Sequence, residues 1–294
     1  MEAKQGISVL IPVYNSCCVG QVERLSQLCA AAGVDYEIIV ADDGSADPTM
    51  NAAVDGLPHC RLVTKRENTG SAATRNLLAQ EAQHDWLLFV DADVEITRDD
   101  FVERYLTCIS RSGETDDTDV VNGGISVGGY HPDNLRWKYE KQAEPAHDAP
   151  HRQQRSYSEF RSTNFVIRRS VMLRCPFDER FKASGYEDVY FGRTLREAHV
   201  KVTHIDNPVT MTSYEDNERF MQKTERNLRT LARFSHELRD DSGIIRCSRW
   251  LVPRCLWRTL FRLIQSPLRR QLCGPSPSVA GYHLYRVGFY IGTF

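Results

Sequence analysis

The sequence predicts an α/β protein with a Rossmann-like, mostly parallel central sheet and helices on both faces. Three observations support this prediction. Short apolar runs that suit strands buried on both sides alternate with amphipathic stretches through the first half of the chain. Polar side chains directly follow these runs, where ligands of parallel sheets bind. The 294 residues have the composition of a soluble globular protein, enough for one large core and an appendage.

The first half of the chain divides into four strands and two helices. The predicted strands are Ile7–Asn15, Tyr36–Ala41, Cys60–Thr64 and Trp86–Val90. The predicted helices are Val19–Ala32, which Gly33 can end, and Ser71–Gln83. Because strand and helix alternate, the strands are expected to run parallel.

The second half continues with longer connections. The predicted helices are Asp99–Ser112, Val189–Ala198 and Glu215–Glu237, and the predicted strands are Val120–Val127, Ser162–Arg168 and Lys201–Ile205. An acidic turn is predicted at Gly113–Asp119. The polar segment His131–Tyr157 is predicted to be long and mobile, with some helix near Leu135–Gln142, since loops of this length are usually functional or disordered.

Two carboxylates follow the fourth predicted strand. Asp91 and Asp93 are two positions apart, so in an extended segment they point the same way. They repel each other unless a cation lies between them, and Mg²⁺ or Mn²⁺ binds one or two carboxylates together with phosphate oxygens. The alternative is a solvated polar turn, because Asp-x-Asp is common. Tyr14, Asn15 and the pair Asp42-Asp43 end the neighbouring strands, which favours the metal–diphosphate site.

Several other classes of protein are disfavoured. No G-x-G-x-x-G follows the first strand and no Walker pattern is present, so the dinucleotide fold and the P-loop are set aside. Nine scattered cysteines without a C-x-x-C pair indicate reduced thiols rather than disulfides or zinc. No leader is evident and no apolar run approaches the roughly 20 residues that span a bilayer. A cytoplasmic protein is expected, with peripheral association at the inner face of the cell membrane.

The chain divides by charge into residues 1–243, predicted as the nucleotide-binding α/β domain, and residues 244–294, predicted as a basic helical region. The second part has eight arginines and no Lys, Asp or Glu, which leaves 29 basic and 39 acidic residues in the first. Arg254, Arg258 and Arg262 are spaced to share one face of a helix over Trp250–Ile264. Such a helix suits an anionic membrane. The alternative is packing on the acidic body; nucleic acid is not expected, because the body is acidic.

Four ordered segments resemble the family 2 inverting glycosyltransferases of the GT-A fold. They are Ile7–Asn15, the Asp-Asp-Gly-Ser at Asp42–Ser45, Asn68–Asn76 and Asp91-Ala-Asp93. Asn68–Asn76 resembles the family's Asn-x-Gly-x-Ala-x-Ala-Arg-Asn, with Thr74 in place of the usual Ala. Thr163–Ser170 and Gly185–Asp188 are similar to the acceptor-side motifs of that family. The resemblance extends from about Gly6 to His236, and its order along the chain makes it specific.

The resemblance implies a nucleotide-sugar donor, with UDP as the expected nucleotide, and a Mn²⁺ or Mg²⁺ cofactor. Donor-binding roles fall to Pro12, Tyr14, Asn15, Asp42, Asp43, Gly70, Arg75, Asp91 and Ala92. The alternative for Asp42-Asp43 is a turn and helix cap, and for Arg75 a surface helix charge. Asp91 and Asp93 would bind the metal.

The same resemblance assigns the catalytic base to Asp188, with Glu187 in support; the alternative is a charged helix N-terminus. Relatives often carry a metal-binding His where this chain has Met211, and a thioether is a poor ligand for a hard ion. His204 is a candidate replacement ligand; the alternative is that it is a core or surface histidine without a metal. Candidate sugar-stacking rings, which could equally be packing groups, are Trp137, Tyr139 and Tyr157.

The expected function is transfer of a sugar to a saccharide or lipid-linked acceptor in cell-surface glycan synthesis. One alternative is a catalytically weak scaffold that keeps the fold and binds assembly partners through its basic tail; Met211 motivates it. Another is a nucleotidyltransferase, which would release pyrophosphate.

Overall fold

The computed structural model describes residues 6–110, 118–182, 185–250 and 254–294, with Trp250 and Arg254 described by their backbone alone. Its strands are β1 Gly6–Val13, β2 Asp35–Asp42, β3 Cys60–Thr64, β4 Trp86–Val90, β5 Val120–Asn122, β6 Ile125–Val127, β7 Asn164–Arg168, β8 Val202–His204 and β9 Val209–Met211. Its helices are α1 Val19–Ala31, α2 Ser71–Glu81, α3 Phe101–Ser110, α4 Leu135–Ala143, α5 Ala149–Gln154, α6 Arg169–Arg174, α7 Glu187–Glu197, α8 Asn217–Arg233, α9 Gly243–Trp250, α10 Arg254–Cys273 and α11 Val279–Thr293. Short 3-10 turns lie at Ala52–Gly56 and Glu144–Ala146.

Seven strands form the main sheet in the order β3-β2-β1-β4-β7-β5-β8. All neighbours are parallel except β7, which runs antiparallel to both β4 and β5. Val13 pairs with Asp42, and Val90 pairs with Asn164, so the carboxyl ends of β1, β2 and β4 meet the start of β7 at one edge. The polar residues that follow those strands are therefore brought to one edge.

Helices cover both faces of this sheet, because successive strand side chains point to opposite sides. On one face, Val9 and Ile11 belong to a buried cluster with residues of α1 and α3. On the other, Leu10 and Phe89 belong to a cluster with residues of α2, α6 and α7. The predicted fold class is confirmed.

A third buried cluster joins α8 to the C-terminal helices. It includes Phe220 and Leu228 of α8, Phe261 of α10, and Tyr285 and Phe289 of α11. This cluster crosses the boundary predicted after residue 243, so the basic region shares a core with the preceding helix. Among the described helices, none is long and apolar enough to cross a bilayer.

The structure departs from the predicted elements in several places, among them the added helix α6. The strand predicted over Val120–Val127 is divided at Gly123-Gly124, where Gly124 has φ +89° and a Cβ on Gly123 would lie 2.2 Å from the Tyr105 hydroxyl. The break sends β6 into a two-stranded sheet with β9, a strand that was not predicted. The segment predicted as long and mobile is largely helical, as α4 and α5. Most of the predicted acidic turn, residues 113–117, lies outside the described residues.

Candidate active site

A cavity of about 760 Å³ lies at the carboxyl edge of β1 and β4. Helices α4, α7 and α8 supply other parts of its wall. Most of the predicted site residues line it, namely Pro12, Tyr14, Asp43, Gly70, Arg75, Asp91, Ala92, Asp93, Glu187 and Asp188. The predicted residues that do not line it are Asn15, Asp42 and His204. The ordered motifs of the sequence therefore converge on one cavity. The chemistry available there also depends on the other residues that line it.

The turn after β2 separates the two adjacent aspartates. Asp42 Oδ1 accepts a hydrogen bond from the Ser45 amide at 2.8 Å, while its Oδ2 is buried with no partner among the described residues. Asp43 is engaged at both oxygens: Oδ1 accepts from the Thr69 amide at 2.9 Å and Oδ2 from the Gly70 amide at 2.9 Å. Asp43 thus fixes the turn before α2, whereas Asp42 keeps one acceptor without a donor.

Asn15 connects two loops at the rim of the cavity. Its side-chain Oδ1 accepts from the Ala46 amide at 2.9 Å, and its own amide donates to Ser45 Oγ at 2.7 Å. Asn15 adopts φ +52°, a conformation that asparagine tolerates better than most residues. These contacts hold the loop after β1 against the loop after β2.

Arg75, on α2, is a buried charge. Its side chain is 4 % exposed, its Nη2 donates to Asp91 Oδ1 at 2.6 Å, and its guanidinium lies 5.5 Å from the centre of the Phe177 ring. The Nε and Nη1 groups are buried with no hydrogen-bond partner among the described residues. A surface helix charge, the alternative considered for Arg75, is therefore excluded. Buried donors without acceptors are costly, and a ligand oxygen would satisfy them.

Asp91, which pairs with Arg75, and Asp93 directly follow strand β4. The Asp91 backbone is held by the Thr163 carbonyl, 3.0 Å from its amide, and by Gln21 Nε2, 2.8 Å from its carbonyl. Burial, followed by the charge of Asp91, raises the pKa of Asp93, and the nearby cations Arg136 and Lys223 offset this only in part. Asp91 is paired with Arg75, whereas Asp93, whose side chain reaches solvent, is the carboxylate that an added cation would stabilise.

The donor set fits a hard divalent cation that shares its shell with a ligand. Among the described residues, no group of three or more His, Cys, Asp or Glu side chains could hold a metal ion. Two carboxylates are nevertheless the usual protein contribution to a Mg²⁺ or Mn²⁺ that also binds phosphate oxygens and water. Met211 lines the cavity, and its thioether would add little to such a shell.

His204 does not belong to this site, so its prediction as a metal ligand is wrong. Its Nε2 lies 2.8 Å from the Ser156 carbonyl and its Nδ1 lies 3.0 Å from Arg152 Nη1. Because Arg152 can only donate, Nδ1 is the acceptor and Nε2 carries the proton. Burial lowers the pKa of His204 to about 4, which keeps the ring neutral. Both ring nitrogens are committed, and the core-histidine alternative holds.

The start of α7 presents two adjacent carboxylates. Gly185 and Tyr186 both adopt positive φ, of +113° and +69°, and turn the chain so that the helix begins at Glu187. Glu187 accepts from the Gly185 amide at 2.6 Å and from Ser71 Oγ at 3.2 Å. Burial, and then the charge of Asp188, raise the pKa of Glu187.

The Asp188 carboxylate is less constrained than that of Glu187. Its Oδ1 accepts from the Val189 amide at 2.8 Å, and its Oδ2 lies 3.8 Å from an Arg161 nitrogen, beyond hydrogen-bond distance. Its side chain is 24 % exposed. Asp188 can thus offer one oxygen to a group in the cavity, while both Glu187 oxygens are already occupied.

Sequence reasoning missed the basic part of the wall. The additional cations that line the cavity are Arg136, Arg152, Arg161, Lys182, Lys223 and Arg226. Arg136 on α4 and Lys223 on α8 were visible only as members of charged helices, and no spacing signal marks them. Of the three aromatic candidates, Tyr139 lines the cavity. Trp137 Nε1 donates to the Gly128 carbonyl and the Tyr157 hydroxyl donates to the Val200 carbonyl, and neither ring lines the cavity.

Comparison with known sequences matches this chain to one family model, "Glycosyl transferase family 2", over residues 8–175. A protein of Haemophilus influenzae described as an uncharacterized glycosyltransferase is 35% identical over 96 residues, 32% of this chain and 38% of that protein. The succinoglycan biosynthesis protein ExoO of Rhizobium meliloti is 30% identical over 121 residues, 40% of this chain and 34% of that protein. The matched part of this chain thus spans little more than a third of each relative.

Solved structures resemble this one over nearly the whole chain. The mannosyltransferase PcManGT of Pyrobaculum calidifontis, in complex with GDP-Man and Mn²⁺, has a TM-score of 0.61 and 13% identity, and the alignment covers 99% of this chain and 87% of that one. Staphylococcus aureus TarS, residues 1–349 with UDP-GlcNAc, has a TM-score of 0.54 and 15% identity over 98% of this chain and 91% of that one. Both are GT-A proteins, so the fold described above is the GT-A fold.

Proposed function

This chain belongs to glycosyl transferase family 2, and from that premise we propose that it is an inverting enzyme that uses a UDP-sugar donor. The observation that carries the proposal is the buried guanidinium of Arg75, which pairs with Asp91 and whose Nε and Nη1 have no hydrogen-bond partner among the described residues. The same cavity holds the carboxylates of Glu187 and Asp188. It therefore combines groups suited to a diphosphate with groups suited to a proton transfer.

The diphosphate of the donor binds between Arg75 and the first turn of α2. The turn at Gly70 opens this helix, whose N-terminal amides favour a negatively charged ligand. Pro12 and Tyr14 flank the base. Asp42 Oδ2, which has no partner within the described residues, accepts from an N–H of the base or a ribose hydroxyl once the surrounding loops adjust. The structures of PcManGT with GDP-Man and of TarS with UDP-GlcNAc support a nucleotide-sugar donor.

Asp91 and Asp93 are the residues that would hold a Mn²⁺ or Mg²⁺ ion at the diphosphate of the donor. When bound, the metal ion neutralises the charge that develops on the departing diphosphate. Arg136 and Lys223 lie close enough to Asp93 to oppose the rise in its pKa, so they add positive charge to the same region. The Mn²⁺ present with PcManGT supports a divalent cation here.

Asp188 is the general base. It takes the proton of an acceptor hydroxyl as that oxygen attacks the anomeric carbon, and the bond from that carbon to the diphosphate oxygen breaks to release UDP. A single displacement inverts the anomeric configuration. Glu187 is a positioning residue, because its bonds to Ser71 and to the Gly185 amide fix the start of α7. Arg161, 3.8 Å from Asp188, places a positive charge beside the base.

The acceptor is a saccharide or a lipid-linked sugar used in cell-surface glycan synthesis. The similarity to ExoO, described as a succinoglycan biosynthesis protein, supports polysaccharide assembly. The family match favours sugar transfer over the nucleotidyltransferase alternative. The scaffold alternative, which Met211 motivates, is an outcome of the test below.

Calorimetric titration with UDP, GDP and several UDP-sugars, in Mn²⁺ and then in EDTA, tests the donor proposal. Metal-dependent binding of UDP is expected, and binding of no nucleotide diphosphate would favour the scaffold. Transfer assays then test the base. Asp188→Asn should keep donor binding and lower turnover by roughly 10²–10⁴-fold.

The matched control is Glu197→Gln, an exposed carboxyl on the same helix that pairs with Arg193 outside the cavity. It should leave turnover unchanged. Equal turnover in Asp188→Asn and wild type would overturn the assignment of the base. Release of pyrophosphate from UTP and a sugar 1-phosphate would overturn sugar transfer in favour of nucleotidyl transfer.

A further inference from the structure

The outward side of α10 carries a stripe of exposed leucines. Leu256, Leu260 and Leu263 are 63%, 46% and 73% exposed. Their i, i+4, i+7 spacing places them on one face of the helix. Arg270 lies in the last turn of the same helix, beyond Pro267. We refer to Leu256, Leu260 and Leu263 as the leucine stripe.

The opposite side of α10 is already satisfied by the protein. Phe261 is buried, with its ring centre 5.6 Å from that of Tyr285. Arg258 Nε donates to the Ile291 carbonyl at 2.9 Å. Arg269 pairs with Glu218 at 2.7 Å and with Glu225 at 2.9 Å. The helix is thus fixed to α8 and α11 by its inner face, and the leucine stripe is not needed for that packing.

The positive charges near the leucine stripe indicate what kind of surface it binds. Residues 244–294 contain eight arginines and no Lys, Asp or Glu, and Arg262 and Arg270 are exposed on α10. An apolar stripe beside cations is the arrangement by which a helix lies in an anionic membrane interface. We propose that the leucine stripe, with Arg262 and Arg270, docks this protein on an anionic lipid bilayer.

A second copy of the chain fits this surface poorly. In a two-fold dimer the same patch would face itself, which would bring the arginines of one copy towards those of the other. Three leucines also offer far less area than the roughly 800 Å² per partner of a stable interface. A bilayer needs no shape complementarity and supplies the negative charge.

The docking helix is connected to the cavity wall. Helix α10 packs on α11, whose Arg286 Nη1 donates to the Tyr139 hydroxyl at 3.0 Å. The Tyr139 ring also lies 5.1 Å from that of Tyr282, and Tyr139 lines the cavity. The docking helix α10 is therefore linked to the cavity wall through two contacts, that of α10 with α11 and that of Arg286 with Tyr139. The docking itself does not depend on the proposed transfer reaction.

The test is co-sedimentation of the full chain with phosphatidylcholine vesicles that contain or lack phosphatidylglycerol. Wild type should bind the anionic vesicles, and less at high salt. The triple variant Leu256→Gln, Leu260→Gln, Leu263→Gln should bind at least about 100-fold more weakly, because each leucine loses its transfer into the interface. Arg262→Gln with Arg270→Gln should weaken anionic binding by roughly 10-fold or more.

The matched control is Leu173→Gln on α6, where the leucine is 43% exposed on the body of the protein. It should bind vesicles like wild type. Thermal unfolding by circular dichroism should give the same transition for the triple variant and wild type, because the stripe is exposed. No vesicle binding by wild type, or equal binding by the triple variant, would overturn the proposal. So would wild-type dimers, seen by ultracentrifugation, that the triple variant loses.

Discussion

Replacing Arg75 by Met tests whether the buried guanidinium serves the donor diphosphate. Arg75 Nη2 donates to Asp91 Oδ1, while Nε and Nη1 are buried without a partner among the described residues. A merely structural arginine would use its donors within the protein. Arg75→Met keeps an apolar side chain beside Phe177 and removes all of those donors.

The expected loss follows from the two unpartnered groups. A hydrogen bond from a charged donor is worth roughly 1.5–3 kcal/mol. Two such bonds to the diphosphate predict that Arg75→Met weakens UDP binding by at least about 3 kcal/mol, or about 100-fold. Stability should change much less. The variant loses the ion pair with Asp91 but also two buried donors that cost roughly 1–3 kcal/mol each, so the free energy of unfolding should change by less than about 2 kcal/mol.

The assay compares two ligands that differ only in the diphosphate. Titration with UDP and with uridine, each in Mn²⁺, should show a large loss for UDP and little change for uridine. Urea unfolding of the ligand-free protein measures stability. Arg61→Met is the control, because Arg61 pairs with Glu81 at 2.8 Å on a half-exposed surface outside the cavity. If Arg75→Met bound UDP as tightly as wild type, or lost uridine equally, Arg75 would not be a diphosphate ligand.

Three further predictions concern the rest of the site. Asp93→Asn should abolish the Mn²⁺ dependence of UDP binding. Because the Asp93 side chain is exposed, water screens its repulsion from Asp91, and the variant should unfold in urea at nearly the same free energy as wild type. Unchanged Mn²⁺ dependence in this folded variant would contradict the metal assignment. His204→Asn should lower the free energy of unfolding by roughly 1–3 kcal/mol and leave Mn²⁺-dependent UDP binding unchanged; loss of metal dependence would restore His204 as a ligand. Gly70→Ala should lower the free energy of unfolding in urea by roughly 1–3 kcal/mol, because φ is +95° and a Cβ would lie 2.6 Å from the Lys182 carbonyl oxygen. Gly56→Ala is the control and should be nearly neutral, because a Cβ there meets nothing within 4 Å. Equal stabilities of the two variants would contradict this geometry.

Local patterns predicted most of the fold and much of the site. Period-two and continuous apolar runs mark strands because they report which faces are buried, and the helix bounds were within a few residues for α1 and α2. Asp91 and Asp93 were recognisable because parallel strands end at the same edge, so polar residues there share a cavity. The break at Gly123-Gly124 was missed, because both halves are apolar and the turn depends on contacts with Tyr105 and Asn164.

Other features depended on partners distant in sequence. The residue types at positions 75 and 204 reveal neither burial nor contacts. Arg75 pairs with Asp91 and keeps two nitrogens without a partner in the described part of the chain, whereas Ser156 and Arg152 occupy both nitrogens of His204. The basic wall of the cavity likewise comes from helices that sequence spacing could not position.

By itself, the sequence determined the strand and helix order, the edge where the polar groups gather, and the charge contrast between the body and the region after residue 243. Tertiary structure decided which of those groups line the cavity, and which side of α10 is buried against α11 rather than exposed as the leucine stripe. The physical reason is that periodicity encodes the apolar face of an element, while the partner of each buried polar atom is chosen by elements far away in the chain.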